Sequence, residues 1–279
     1  MALDVSKRIR NVYHDLSKGH KRIANIVLRE PSKAKDYSSA RLANAAGVSE
    51  STVIRFVKNI GYESFSEFKN AISHSIQSQM KQEEKIVVPT SGVMRSNVYK
   101  RTLATDIANI KHTLNHIDAH TFSDLVKMLI KPKRKFIVAF GNDVLPAKLL
   151  YDNFVTMFDD VTLITSSDDY FAKLLSLASA DQVIIFSISD KSRELQGLAQ
   201  YIKSKRTQIV IIANHASSPL AEYADYLLEA RSESPSFIDS YASTTGIVNA
   251  LTLEIVQKDR IRITARYKQI QKLRTDFSK

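Results

Sequence analysis

The sequence predicts an α-helical domain built on a helix-turn-helix corner, followed by an α/β/α sandwich around a parallel sheet. Three observations carry that prediction. Apolar residues recur at helical spacing from Val5 to Ile72, with one tight corner at Gly47. From residue 135 the period changes to short, nearly continuous Val- and Ile-rich runs that alternate with helical stretches. Between the two lies QMKQEEKIVVPTSG, a polar segment punctuated by Pro89 and Gly92 that reads as a linker. The expected organisation is a head over 1–78, a linker over 79–95 and a body over 96–279.

Charge divides the chain in the same way. Of the formal net +11, residues 1–80 hold 13 Lys/Arg against 7 Asp/Glu, and residues 258–279 hold 8 against 2. The stretch between them holds 19 against 20. A basic head and tail around a neutral middle fit a polyanionic partner, although an excess of charge by itself also serves only solubility. No apolar run approaches the roughly 18 residues of a membrane span, and MALDVSKRIR carries no apolar segment behind its charges. A cytoplasmic chain with no membrane partner is expected. The absence of cysteine excludes disulfides and thiolate metal sites.

In the head, Val5, Ile9, Val12, Tyr13 and Leu16 mark a first helix that ends near Ser17-Lys18-Gly19. Ile23, Ile26, Val27 and Leu28 carry a second, stopped by Pro31. The corner LANAAGVSESTVIRFV follows. Leu42, Ala43 and Ala46 form the inner face of a short helix capped by Ser38 or Ser39, and Gly47 can take the positive φ that ends it sharply. Ser49 caps the next helix, which Val53, Phe56, Val57 and Ile60 bury, before Gly61-Tyr62 breaks it. Its outer side combines Ser49, Glu50, Ser51, Thr52, Arg55 and Lys58. Hydroxyls mixed with cations suit phosphates and base edges in a major groove; an ordinary helical corner with a solvated polar face is the plain alternative.

The run RLANAAGVSESTVIRFVKNIGYESFSEFKNAI resembles the N-terminal domain of RpiR/MurR-type bacterial transcriptional regulators. Leu42, Ala43, Gly47, Val48, Ser49, Thr52, Val53, Arg55, Phe56, Gly61 and Phe65 carry the likeness. The resemblance implies duplex DNA as a partner and a sugar isomerase (SIS) domain downstream.

In the body, Val98, Leu103, Ile107, Ile110, Leu114 and Ile117 mark a long amphipathic helix. His112 and His116 on it have the spacing of a two-histidine metal site, with His120 four further on near the start of the next helix. No carboxylate or thiolate accompanies them, so they read as partly exposed helix histidines, and no metal or other cofactor is expected. KFIVAF, VTLIT, DQVIIFSIS, QIVIIA and DYLLEA are the strands, with helices near 146–157, 169–178, 192–204 and 218–224. Ligands of such sheets bind at the carboxyl ends of the strands. Three of those ends are small and polar: Gly141-Asn142-Asp143, Ser166-Ser167-Asp168, and Ser187 to Ser192. In the third, hydroxyls and free backbone N–H groups make an anion cradle, or the serines merely cap the helix that follows.

Over roughly 122–257 the chain resembles SIS domains, whose pattern S-x-S-G-x-T-x-E is matched by Ser187, Ser189, Ser192 and Glu194, with Asp190 at the glycine. NHASSPLAEYAD adds Ser218, Pro219, Leu220, Ala224 and Asp225 to the likeness. The resemblance implies an effector site formed by Gly141, Asn142, Ser166, Ser187, Ser189, Lys191, Ser192 and Glu194. FGNDVL departs from the G-x-G-x-S loop of sugar-phosphate binders, with Asp143 at the second glycine and Leu145 at the serine. Acids beside a dianion are unfavourable, so either the effector is not a simple phosphosugar or the pocket has decayed.

An isomerase would need a positioned base. Glu194 and His215 have no identifiable partner, and no Ser/His/Asp set or P-loop is present. The expectation is a sequence-specific DNA-binding regulator of sugar or amino-sugar metabolism without catalytic activity. It would sense a sugar-like or phosphosugar effector as a homodimer or homotetramer, since two reading heads suit two half-sites. The alternatives are a sugar-phosphate isomerase-like enzyme and a regulator with a vestigial pocket. Finally, the region after Asp239 reads as helix through Ile247, Leu251 and Val256 into a cationic tail with Ile261, Ile263, Ile270 and Leu273.

Overall fold

Val5, Ile9, Tyr13 and Leu16 share one side of the first segment, and all four are buried. That spacing gives α1 (Val5–Val12), extended by a 3-10 turn at Tyr13–Asp15. Ser17 then accepts a hydrogen bond from the His20 amide and opens α2 (Lys18–Arg29), so it starts the second helix rather than closing the first. Gly19 lies inside that helix because the corner packs against it. A Cβ there would sit 3.5 Å from Val48 and 3.6 Å from Thr52. Pro31, whose missing N–H costs nothing at a helix start, begins the one-turn α3 (Pro31–Ala34). α4 (Ser39–Ala46) and α5 (Glu50–Asn59) form the corner, and α6 occupies 65–73. Phe56 and Phe68, both fully buried, meet edge to face in the centre of this domain.

The computed structural model describes residues 5–73, 97–131, 133–166, 170–189 and 193–278, which fall into two compact units, 5–73 and 97–278. The expected linker over 79–95 lies outside the described residues, as do Asp190, Lys191, Ser192, Ser167 and Asp168.

The second unit begins with α7 (Val98–His116) and α8 (Ala119–Leu129). Strands and helices then alternate through β1 (Lys135–Val138), α9 (Val144–Met157), β2 (Val161–Ile164) and α10 (Tyr170–Leu175). They continue through β3 (Gln182–Ser187), α11 (Arg193–Ser204), β4 (Gln208–Ala213) and β5 (Tyr226–Glu229). α12 (Ala242–Lys258) and α13 (Arg260–Phe277) close the chain. The sheet order is β2-β1-β3-β4-β5 with every pairing parallel, and Val138 lies opposite both Ile164 and Ile185.

Alternation of side chains explains the continuous apolar runs. Ile137, Ile184, Phe186 and Val210 meet α8, α9 and α12 on one face through Leu125, Leu150, Phe154 and Leu251. Phe136, Val138, Val183 and Ile185 meet α10 and α11 on the other through Leu174, Leu195 and Ile202. The expected sandwich is therefore present, with the strand order reversing direction between β1 and β3.

α7 is the expected long helix, but the body does not cover its apolar side. Its apolar residues Leu103, Ile107, Ile110 and Leu114 are 46–72% exposed, whereas Asn109 and Thr113 are buried. The helix docks through polar groups: Asn109 Nδ2 donates to the Glu233 carbonyl at 2.7 Å, and Thr113 Oγ1 accepts from the Arg231 amide at 3.0 Å. Backbone after β5 claims one side of α7, which leaves its apolar stripe outward.

Candidate functional site

The corner in the head is built by three local choices. Ser38 caps α4 by accepting from the Arg41 amide, which settles the choice between Ser38 and Ser39. Gly47 takes φ +59°, ψ +45°, the left-handed conformation that ends a helix, and the Val48 amide returns to the Ala43 carbonyl at 3.0 Å. Ser49 then caps α5.

Of the six residues expected to face DNA, Ser49, Glu50, Ser51, Arg55 and Lys58 are exposed and Thr52 is half-buried. Their roles divide. Ser49 Oγ lies 2.8 Å from both Ser51 Oγ and Thr52 Oγ1, so these hydroxyls form one small cap cluster. Glu50 accepts from Ser39 Oγ and ties α5 to the start of α4. Arg55 and Lys58 carry the cationic part of the face. His20 stands edge to face with Phe56, and burial, then the nearby Arg55 charge, push its imidazole below the usual value.

In the body, the loops after β1 and β3 meet where the sheet order reverses, the usual ligand position of such sheets. Gly141 opens the first loop at φ +57°, and a Cβ added there would meet nothing within 4 Å. Gly141, Asn142 and Ser166 are exposed, Ser187 is buried as the last residue of β3, and Ser189 is half-buried.

The expectation of free amides in this cradle is corrected. Asp143 is fully buried, and its Oδ2 accepts from the Ile188 amide at 2.8 Å. Its Oδ1 accepts from the Ser189 amide at 3.1 Å, Ser189 Oγ at 3.0 Å and Tyr241 Oη at 2.8 Å. Asp143 stands at the N-cap of α9 and Tyr241 at the N-cap of α12, yet neither side chain caps its own helix. Both instead converge on Ser189, whose Oγ also lies 3.3 Å from the Tyr241 hydroxyl. Burial, then the Asp143 carboxylate to which it donates, raise the Tyr241 phenol far above its ordinary pKa.

Glu194 is not among these groups. It accepts from Tyr170 Oη, and that bond, then burial, push the Tyr170 phenol up to about 12.

Comparison with known proteins fits this two-part arrangement. The sequence model for the helix-turn-helix domain of the rpiR family matches residues 3–79, and that for the SIS domain matches 128–254. The chain belongs to the RpiR family.

It is a helix-turn-helix transcriptional regulator with a SIS domain. An HTH-type transcriptional regulator of Haemophilus influenzae is 28% identical over 81% of this chain and 79% of its own length. Among solved structures, the sugar isomerase domain of an RpiR transcription factor from Sphaerobacter thermophilus superposes with a TM-score of 0.60 at 19% identity. It covers 63% of this chain and 99% of its own. The Vibrio vulnificus NanR protein complexed with ManNAc-6P gives 0.57 at 17% identity, covering 98% of each chain.

Within this RpiR-family body a cleft of about 530 Å³ lies between α7 and the segment after β5, lined in part by Arg101, Asn109, His112, Arg231 and Glu233. It does not include Asp143, Ser189 or Tyr241. Arg231 already donates to Glu233 at 3.2 Å and stands 3.3 Å from His112 Nε2, so its charge is spent inside the protein. The strand-end site, where two polar loops meet at the switch point of the sheet, is the better candidate for a ligand. His112 and His116 stack at 3.9 Å. Among the described residues no group of three or more His, Asp or Glu side chains is placed to hold a metal, and no helix is long and apolar enough to cross a membrane.

Sequence reading missed Tyr241 altogether. It lies 98 residues from Asp143, in a stretch whose one local signal is a helix start.

Proposed function

We propose that this RpiR-family protein is a sequence-specific DNA-binding regulator of sugar or amino-sugar metabolism whose effector binds at the carboxyl end of the β1 and β3 strands. The observation that carries the reading is the α5 face. A glycine-made corner and a serine cap present Ser51, Arg55 and Lys58 together on the exposed side of a ten-residue helix. That is the geometry by which a recognition helix enters a major groove. The basic balance of the head supports it. For the effector, support comes from two polar strand-end loops meeting at the switch point and from the likeness to a NanR complexed with ManNAc-6P. We assign the effector contacts to Gly141, Asn142, Ser166, Ser187 and Ser189; Lys191 and Ser192, which the sequence pattern adds, lie outside the described residues. Glu194 is engaged by the Tyr170 hydroxyl at the start of α10, which argues against an isomerase base.

The protein works as a homodimer or homotetramer, because the exposed apolar stripe of α7 needs a partner and two half-sites need two heads. A regulator with a vestigial pocket is the second reading. It is favoured by the Ile188 and Ser189 amides being already engaged by Asp143.

Arg55→Ala and Lys58→Ala should each weaken operator binding across sequences. A lost phosphate contact should also flatten the dependence of log K on log salt by about one unit. Titration of full-length protein onto duplex DNA at several salt concentrations measures both. Unchanged affinity in both variants would sink the groove assignment.

A further inference from the structure

The anion position at the strand-end site is already filled, and the chain itself fills it. Asp143 is fully buried at the switch point and receives two backbone N–H groups, a serine hydroxyl and a tyrosine hydroxyl. Backbone amides at the end of a central strand, leading toward a helix, are the groups that bind phosphate in α/β folds. Each N–H makes one strong bond, and those of Ile188 and Ser189 are both made to the same carboxylate. The carboxylate is in turn close to saturated, since about four lone-pair positions meet this set of donors. It therefore does not await a cation. Nor is it a helix cap that strayed: at the N-cap of α9 it makes no side-chain bond to its own helix and crosses to β3 instead.

We propose that Asp143 is the specificity-determining residue of this pocket, a built-in anion that excludes phosphate and leaves the site to an uncharged, hydroxyl-rich ligand. This rests on the reading of the strand-end pocket as the effector site. A phosphate entering here would meet the Asp143 charge and find the Ile188 and Ser189 amides taken, a combination that lowers affinity by roughly a hundred-fold or more. An uncharged sugar or polyol meets neither obstacle. Ser189 Oγ and Tyr241 Oη retain acceptor capacity toward its hydroxyls, and a Cβ added at Gly141 would meet nothing within 4 Å.

The test uses full-length protein, with inorganic phosphate as the probe and matched pairs of free sugars and their 6-phosphates, followed by calorimetry. Parent protein should show no saturable phosphate binding in the millimolar range, and within any pair it binds it should prefer the uncharged member. Asp143→Ala frees the amides and should gain phosphate affinity by at least roughly tenfold. Asp143→Asn, which keeps the side-chain volume and loses the charge, should gain in the same direction by less. It stands in for the alanine variant if circular dichroism shows that variant unfolded. Saturable phosphate binding by the parent, a parent preference for phosphosugars, or no gain in either folded variant overturns the assignment. Operator binding by the parent is measured alongside. A sugar that binds the parent yet leaves its DNA affinity unchanged would sink the effector reading without touching the phosphate result, so the two failures are distinguishable.

Discussion

Lys135, at the start of β1, is completely buried, which is rare for an ammonium group. Its Nζ donates to the Lys131 and Lys133 carbonyls at 3.0 and 2.9 Å and lies 3.9 Å from the Phe158 ring centroid. These contacts fasten the turn after α8 to the sheet. Burial, then the neighbouring Arg262 charge, lower its pKa from 10.5 to about 8. Because the folded value lies below the unfolded one, the unfolded chain binds more protons between those two pH values. Stability should therefore climb as pH rises from about 8 to about 10.5, and the full cost of burying the charge is present below that window. The stability of the parent relative to Lys135→Met should rise by up to about 3 kcal/mol across it. Denaturant unfolding of both proteins at a series of pH values measures the difference, and a flat difference contradicts the argument.

Among the elements, α13 shows how a strongly polar helix is held with little apolar contact. Ile263 is its single buried residue, and Ile261 and Phe277 are almost fully exposed. Two arginines do the docking. Arg262 donates to the Met157 carbonyl at 3.0 Å, and Arg266 donates to the Val155 and Phe158 carbonyls at 3.2 and 2.8 Å. These are carbonyls at the C-terminal end of α9, where a cation also meets the negative end of the helix dipole. Arg266 additionally pairs with Asp159, a side chain 89% exposed, and such a pair contributes little. Arg266→Ala should thus destabilise the body by about 1–2 kcal/mol, through carbonyls left without a donor. Asp159→Ala should change it by less than about 0.5 kcal/mol. Equal effects in urea unfolding would show that the ion pair, not the helix end, holds the tail.

For the whole molecule, the proposed assembly turns on α7. Leu103, Ile107, Ile110 and Leu114 follow a 4-3-4 spacing, the seam of a helix that packs against another helix. With its opposite side committed to Glu233 and Arg231, the seam is left exposed among the described residues. A second copy supplies a matching stripe by symmetry. The double variant Leu103→Glu, Leu114→Glu should convert a dimer or larger species into a monomer in sedimentation at micromolar concentration. Those side chains are 58% and 72% exposed, so the helical content should be kept. A variant that sediments like the parent, or a parent that is itself monomeric, rules the seam out.

What the sequence determined by itself is whatever rests on local spacing. The α4–α5 corner follows from Gly47 between two serine caps, because a left-handed residue and a side-chain cap are chosen within a few residues. The parallel sheet follows from five Val- and Ile-rich runs, because strands covered on both faces cannot alternate with polar residues. The strand-end loops were legible for the same reason. Only tertiary structure decided how those loops are used. Asp143 read as an obstacle to a dianion, but that its carboxylate takes the Ile188 and Ser189 amides depends on a contact 45 residues away. Tyr241 reaches the same point from the start of α12, with no periodicity to announce it. The apolar stripe of α7 gave the helix but not which side the body covers. Amphipathicity says that a face will be covered, and the Asn109 and Thr113 hydrogen bonds decided which face the chain itself could cover.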